Sequence, residues 1–290
     1  MQSASKRPKM RAAWEGTSII LLGSLVMPTA FLNTQWRLRP LFACHLIALL
    51  LLLSWLWQPT RQLWDQFDLQ LFRLLNEPVH AAGLWAHIWA IGSMRPVDLG
   101  VGIFMLAVMF KADLVFSGAQ VRRAFFAFLA VLLLLLLCRV GFAELVKAMD
   151  WQRPSASLVV EDSARLTKLF PEWEERWDMK DSATRSFPGD HASVLLIWAM
   201  FMSFFARNWR LLLVWAMATV FMLPRLVAGA HWGSDAFVGG VLLSLLALAW
   251  GCFTPFAYRA SEWLERVTLP LTRQVAKLPL LGRLSLISGR

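Results

Sequence analysis

Phe125-Phe-Ala-Phe-Leu-Ala-Val131-Leu-Leu-Leu-Leu-Leu-Leu137-Cys-Arg139-Val-Gly-Phe-Ala-Glu144-Leu-Val146 is the most apolar run of the chain. Its length and leucine density are those of a membrane-crossing helix. Yet Arg139 lies well inside it, and Glu144 stands three residues before Lys147 on the same face. A charge at such depth costs about 3 kcal/mol by insertion scales unless it is paired or faces a wet cavity. Arg139 lies two turns below Lys147 and reads as structural. Glu144 reads either as a partner that keeps Lys147 aimed or as one half of an interhelical ion pair.

The whole composition agrees with this run. The chain has 290 residues, 58% hydrophobic and 17% charged, and a mean hydropathy of +0.53; such values suit a polytopic membrane protein and exclude an ordinary soluble domain. The net charge of +10 is read as membrane topology, and no basic stripe carries a nucleic-acid motif, so no nucleic-acid partner is expected. Cys44, Cys138 and Cys252 all lie in apolar runs, which argues against a disulfide framework and against a zinc site.

Apolar runs at 41–57, 97–116, 125–146, 192–206, 211–223 and 236–256 predict an all-α bundle of six transmembrane helices. Three parts follow: a basic, short-apolar segment 1–40, a six-span domain 41–257, and a basic tail 258–290 suited to an anionic leaflet. The run 18–32 is short for a span and reads as interfacial or re-entrant, with a span as the alternative. Within 58–96, Leu63, Trp64, Phe67, Leu71, Leu74 and Leu75 recur at helical spacing, which predicts an amphipathic helix on the membrane surface. The polar segment 155–185 is either a lid that reads a head group or a solvated connector.

Three segments carry chemistry. Lys147-Ala-Met-Asp-Trp-Gln-Arg153-Pro154 closes the leucine-rich helix with two cations. Ser186-Phe-Pro-Gly-Asp-His191 opens another helix, whose N–H groups favour an anion. Arg225-Leu-Val-Ala-Gly-Ala-His231-Trp-Gly-Ser-Asp235 sets His231 and Asp235 at i and i+4, where a carboxylate holds one imidazole nitrogen as N–H and leaves the other as a lone pair. Placing Arg122-Arg123, Arg207–Arg210 and the tail on the cytoplasmic side puts all three segments together on the opposite face.

These segments resemble the type 2 phosphatidic acid phosphatase superfamily of integral membrane phosphatases. Its pattern has a lysine with Arg-Pro shortly after, a Pro-Ser-Gly-His, and an arginine followed by a histidine with Asp at +4. Here the third part matches over Arg225, Gly229, His231 and Asp235, with Pro224 where serine is usual; Gly189 and Asp190 replace the Ser-Gly before His191; and five residues, where six are usual, separate Lys147 from Arg153. The resemblance covers roughly 131–251. It implies that His231, held by Asp235, attacks phosphorus to form a phosphohistidine, that Lys147, Arg153 and Arg225 bind the phosphate oxygens, and that His191 protonates the leaving oxygen and then activates water. At Gly189 the backbone N–H is left to bind phosphate, with Ser186 or Ser193 as a hydroxyl source, while Asp190 is a helix cap whose charge needs Arg153 or Arg225 nearby.

The expected activity is therefore metal-independent and cofactor-free hydrolysis of a membrane lipid phosphate, of undecaprenyl diphosphate, lipid A or phosphatidate type. The setting is the bilayer of a bacterial inner membrane, with the site facing the periplasm. Transfer of phosphate from a polyprenyl diphosphate to an acceptor lipid is the alternative, and a non-enzymatic transporter is a second. Vanadate-dependent haloperoxidases share this kind of site, but they are soluble.

Overall fold

A computed structural model describes residues 32–278 and 285–288; the 18–32 run lies, but for its last residue, outside them. In order come α1 (Leu38–Leu56), α2 (Gln58–Asn76), α3 (Leu84–Ser93), α4 (Arg95–Phe110) and α5 (Gly118–Ala148). Three short helices follow, α6 (Ala156–Val159), α7 (Leu166–Leu169) and α8 (Pro171–Trp177), and then α9 (Asp190–Ser203), α10 (Trp209–Val227), α11 (Val241–Cys252) and α12 (Phe256–Val275). Among the described residues there is no β-strand; the nearest approach is one bridge between Met94 and Met179.

Four helices are long and apolar enough to cross a membrane: α1, α5, α10 and the continuous segment Asp235–Cys252. The other two expected spans are shorter. The run 97–116 forms α4, sixteen residues that end before Lys111, and the run 192–206 forms α9, an apolar helix of fourteen residues. The segment ending in α11 is the central one, 72% buried against 17% for α1, and the core around it joins Val131 and Leu135 of α5 to Leu195 and Trp198 of α9. The outward faces of α1, α4 and α5 expose Phe42, Leu46, Leu50, Leu99, Ile103, Leu133 and Leu137. So large a bare apolar surface is what a lipid environment covers.

Helix α5 begins at a capping box, in which the Ser117 side chain takes the Gln120 N–H and the Gln120 side chain takes the Ser117 N–H at 3.1 Å. It ends with Lys147 in its last turn, where the helix dipole favours a cation. The amphipathic α2 is oriented differently from what its leucines suggest. Leu63 and Leu74 are exposed, while Asp68, Phe72 and Asn76, at i, i+4 and i+8, are buried. Asn76 uses its whole amide: Nδ2 donates to Ala164 O (3.0 Å) and Val227 O (2.9 Å), and Oδ1 accepts from Ala164 N (2.9 Å).

That amide ties the 155–185 segment down. Arg165 and Thr167 hold the Asp181 carboxylate, Ser157 Oγ donates to Asp181 O (2.6 Å), and Lys180 N donates to Ser93 O (2.9 Å). The segment is thus an anchored cap over one end of the bundle.

The three chemistry-bearing segments meet beneath this cap. Their approach depends on missing side chains: Gly189 N donates to Asp235 O at 3.0 Å, and a Cβ on Gly189 would stand 2.7 Å from that oxygen and 2.9 Å from its carbon. Both obstacles are backbone, so Gly189→Ala must push the His191 turn off the Asp235 turn. Overpacking of this kind costs about 1–3 kcal/mol. The expected outcome is a clearly lower unfolding temperature in detergent, with Gly83→Ala, which meets no atom within 4 Å, as the control that leaves it in place.

Candidate active site

The residues 225–235 leave α10 through Gly229, whose φ of +73° belongs to the left-handed region that suits glycine. The turn lets Ala230 N and His231 N both donate to Arg225 O (2.9 and 3.2 Å). Asp235 then opens a widened, π-helical turn, Asp235–Gly240, that runs into α11; such turns recur at functional sites. His231 and Asp235 meet as their spacing predicts: Nδ1 lies 3.5 Å from Asp235 Oδ2 and donates to Ser186 O at 2.9 Å. The other nitrogen, Nε2, faces a cavity of about 320 Å³.

Arg139, Glu144 and Lys147 of α5 line that cavity, with Lys180 and Arg185 of the anchored cap, Asp190 and His231. Four side-chain cations thus stand against two carboxylates. Glu144 and Lys147 share the cavity without forming an ion pair. Arg139 is not confined to the bundle: its Nη2 reaches Asp190 Oδ2 at 3.1 Å. Asp190 Oδ1 in turn lies 3.4 Å from His231 Nε2 and accepts the His191 N–H at 2.8 Å. The neighbours that accommodate the Asp190 charge are therefore Arg139 and His231, where Arg153 or Arg225 were expected, and the N-cap position belongs to Gly189.

Burial opposes a charge on His231, but hydrogen bonds to Asp190 and Asp235 and the charges of both outweigh it, so its pKa is pushed up to about 9. That direction favours the doubly protonated imidazole at neutral pH, with Nε2 capped by the Asp190 carboxylate.

The remaining expected site residues sit in a second layer. Arg153 Nη2 contacts Asp235 Oδ1 (2.8 Å), Asp68 Oδ2 (3.0 Å) and Ser234 Oγ (2.6 Å), and its guanidinium lies 5.3 Å from the Trp232 ring centroid. Arg225 is buried; it donates to Ser93 O (3.0 Å) and Lys180 O (3.1 Å) and pairs with Asp98. His191 points the same way, with Nε2 on Phe221 O (3.2 Å) and Nδ1 4.0 Å from Asp98 Oδ1. Lys147 and His231 share the cavity, whereas Arg153, Arg225 and His191 do not line it.

Other expected donors are already engaged. The Gly189 N–H is given to Asp235 O, Ser186 Oγ donates to Arg153 O (3.2 Å) and Ser193 Oγ to Asp190 O (2.7 Å). Asp68, Asp98, Lys180 and Arg185 escaped the sequence reading. Only Asp68 left a signal, as a carboxylate i−8 from Asn76 on an amphipathic helix. Among the described residues no group of three or more His, Cys, Asp or Glu side chains is placed to hold a metal ion.

Comparison with known proteins follows the same residues. No solved structure matches the chain. A 227-residue stretch is 28% identical to lipid A 1-diphosphate synthase of Escherichia coli (strain K12), covering 77% of this chain and 90% of that protein. Residues 124–259, which hold all but the first six residues of α5, the anchored cap and every residue around His231 Nε2, match the PAP2 superfamily. On this match and the placement of the three segments around one cavity, residues 124–259, a little under half of the chain, are similar to the PAP2 superfamily.

Proposed function

We propose that this protein is a lipid phosphotransferase: His231 takes a phosphoryl group from a lipid diphosphate and passes it to a phosphate on a second lipid. One observation carries the choice of transfer over hydrolysis. The cavity at His231 Nε2 is lined by four cations, while the histidine expected to activate water, His191, is turned onto Phe221 O and Asp98. Water needs a base to become a nucleophile. A phosphate acceptor is already an oxyanion and needs positive charge around it, which Arg139, Lys147, Lys180 and Arg185 supply. The similarity to a lipid A 1-diphosphate synthase supports a lipid A phosphate as acceptor, and a polyprenyl diphosphate is the matching donor.

The geometry supports the following steps. A donor phosphate displaces the Asp190 carboxylate from His231 and takes its place among the cations. His231, freed of its Nε2 proton and held through Nδ1 by Ser186 O and Asp235, attacks phosphorus; the P–O bond to the lipid phosphate breaks, and that lipid leaves as a monophosphate. An oxygen of the acceptor phosphate then attacks the phosphohistidine, the P–N bond breaks, and a diphosphate forms on the acceptor. Arg122, Arg123, Arg207 and Arg210 lie at the opposite end of the helices, so the positive-inside tendency supports a site on the periplasmic face of an inner membrane.

With donor labelled in its terminal phosphate, acceptor lipid and a chelator present, detergent-purified protein is expected to move label to the acceptor. His231→Ala should abolish this transfer, and release of free phosphate at an equal rate without acceptor would return the protein to hydrolysis. Lys147→Met and Arg139→Met should each raise KM at least roughly tenfold, the scale of one charge-assisted hydrogen bond to phosphate. Because His231 must lose a proton before it attacks, kcat/KM for donor should rise with pH up to about 9. Asp190→Asn should move that rise to lower pH, because it removes one of the two carboxylates that hold the proton.

A further inference from the structure

Asp68 lies on α2, outside the region matched by the family and about eighty residues before the first chemistry-bearing segment. It is a carboxylate only 1% exposed, and every partner it has is a donor. Ser234 N donates to Oδ1 (2.6 Å), Ser234 Oγ to Oδ2 (2.7 Å), and Arg153 Nη2 stands 3.0 Å from Oδ2. Three donors thus converge on a carboxylate, the arrangement that favours its ionised, acceptor-only form. Its pKa is raised: burial outweighs the pull of Arg153 and of the two Ser234 hydrogen bonds, and the charge of Asp235 adds to the rise.

Ser234 adjoins Asp235, and Arg153 touches both carboxylates, so Asp68 grips the His231–Asp235 turn twice, once through the backbone and once through charge. The arithmetic of that charge matters. Two buried carboxylates share one guanidinium, which leaves one net negative charge behind His231; Asp65 is farther, 3.8 Å from Arg153, half exposed and paired with Arg61. Without Asp68, Arg153 would neutralise Asp235 alone. With it, Asp235 keeps its field on an imidazole that gains positive charge as Nε2 bonds to phosphorus.

We infer that Asp68 is a positioning residue of the phosphoryl-transfer site, acting through Ser234 and Arg153 to orient Asp235 and keep its charge directed at His231. The inference rests on His231 as the nucleophile, but the state of His231 can be read without any turnover. The other charged groups facing His231 are Asp190 and His191 from α9, Arg139, Glu144 and Lys147 from α5, and Lys180 and Arg185 from the cap. Asp68→Asn leaves all of them in place and retains an oxygen for the Ser234 N–H.

The experiment measures the rate at which diethyl pyrocarbonate modifies His231, by mass spectrometry of the full-length detergent-purified protein across pH; the reagent takes only neutral imidazole. In Asp68→Asn the midpoint should fall by about one pH unit. Arg153→Gln, which removes the opposing cation, should raise it. Opposite signs from two neighbours are not what a loosened fold produces. In transfer assays Asp68→Asn should lower kcat about tenfold or more, with KM changed less than about threefold, since Asp68 does not reach the cavity.

An unchanged or raised midpoint in Asp68→Asn overturns the inference. If that variant does not fold, an unchanged or lowered midpoint in Arg153→Gln overturns it instead. A shifted midpoint in a protein whose parent transfers no phosphate would sustain the positioning role and sink the transferase reading.

Discussion

A row of charges of alternating sign holds this active site together: Asp68, Arg153, Asp235, His231, Asp190 and Arg139, with successive separations of 3.0, 2.8, 3.5, 3.4 and 3.1 Å. Isolated charges at these burials would be expelled or neutralised; in a row, each is flanked by its opposite. The alternation holds only while His231 is an imidazolium, and this is the physical cause of its raised pKa. The row also has a replaceable member. Asp190 is half exposed and sits on the cavity side, so an incoming phosphate can occupy its position between His231 and Arg139 without changing the order of signs.

The row dictates which backbone elements must converge. Asp68 comes from α2, Arg153 from the chain after α5, His231 and Asp235 from the turn after α10, Asp190 from the start of α9, and Arg139 from within α5. Bringing five such elements within a few ångströms leaves no room for side chains between backbones, hence Gly189 against the carbonyl of Asp235. Around this polar end the rest of the bundle is apolar inside and out. The helices can bury their faces on one another and still present leucine and phenylalanine to lipid, so this row of charges is confined to one end of the bundle.

The anchored cap fixes two of the four cations that line the cavity. Asp181 is fixed by Arg165 and Thr167, and Asn76 pins Ala164, so Lys180 and Arg185 are held over the cavity by a rigid frame. Arg225 contributes to that frame: it bonds Ser93 O and Lys180 O and pairs with Asp98, joining α3, α4 and the cap to α10.

Much of this was legible in the residue order because the signals are local. Helical runs follow from composition, the His231–Asp235 pair from i and i+4 geometry, and the convergence of three segments on one face from the distribution of arginine and lysine. The local signals are silent where a residue's partner is distant in sequence. A helix shows the depth of Arg139 and not the aspartate fifty-one residues away, and the leucines of α2 mark its apolar face and not the partners of Asp68 and Asn76. Two of the expected spans form helices shorter than their apolar runs, because hydropathy marks what is buried or lipid-covered, not where a helix stops.

By itself, then, the sequence determined the class, the helices and the chemistry on offer: apolar periodicity and residue type act over a few residues and need no partner. Tertiary structure alone decided which cations share a cavity with His231, which are spent on carboxylates, and that Asp190 caps His231. Those outcomes depend on charge pairing across dozens of residues, and an ionised side chain in a low-dielectric interior is defined by its neighbours rather than by its place in the chain.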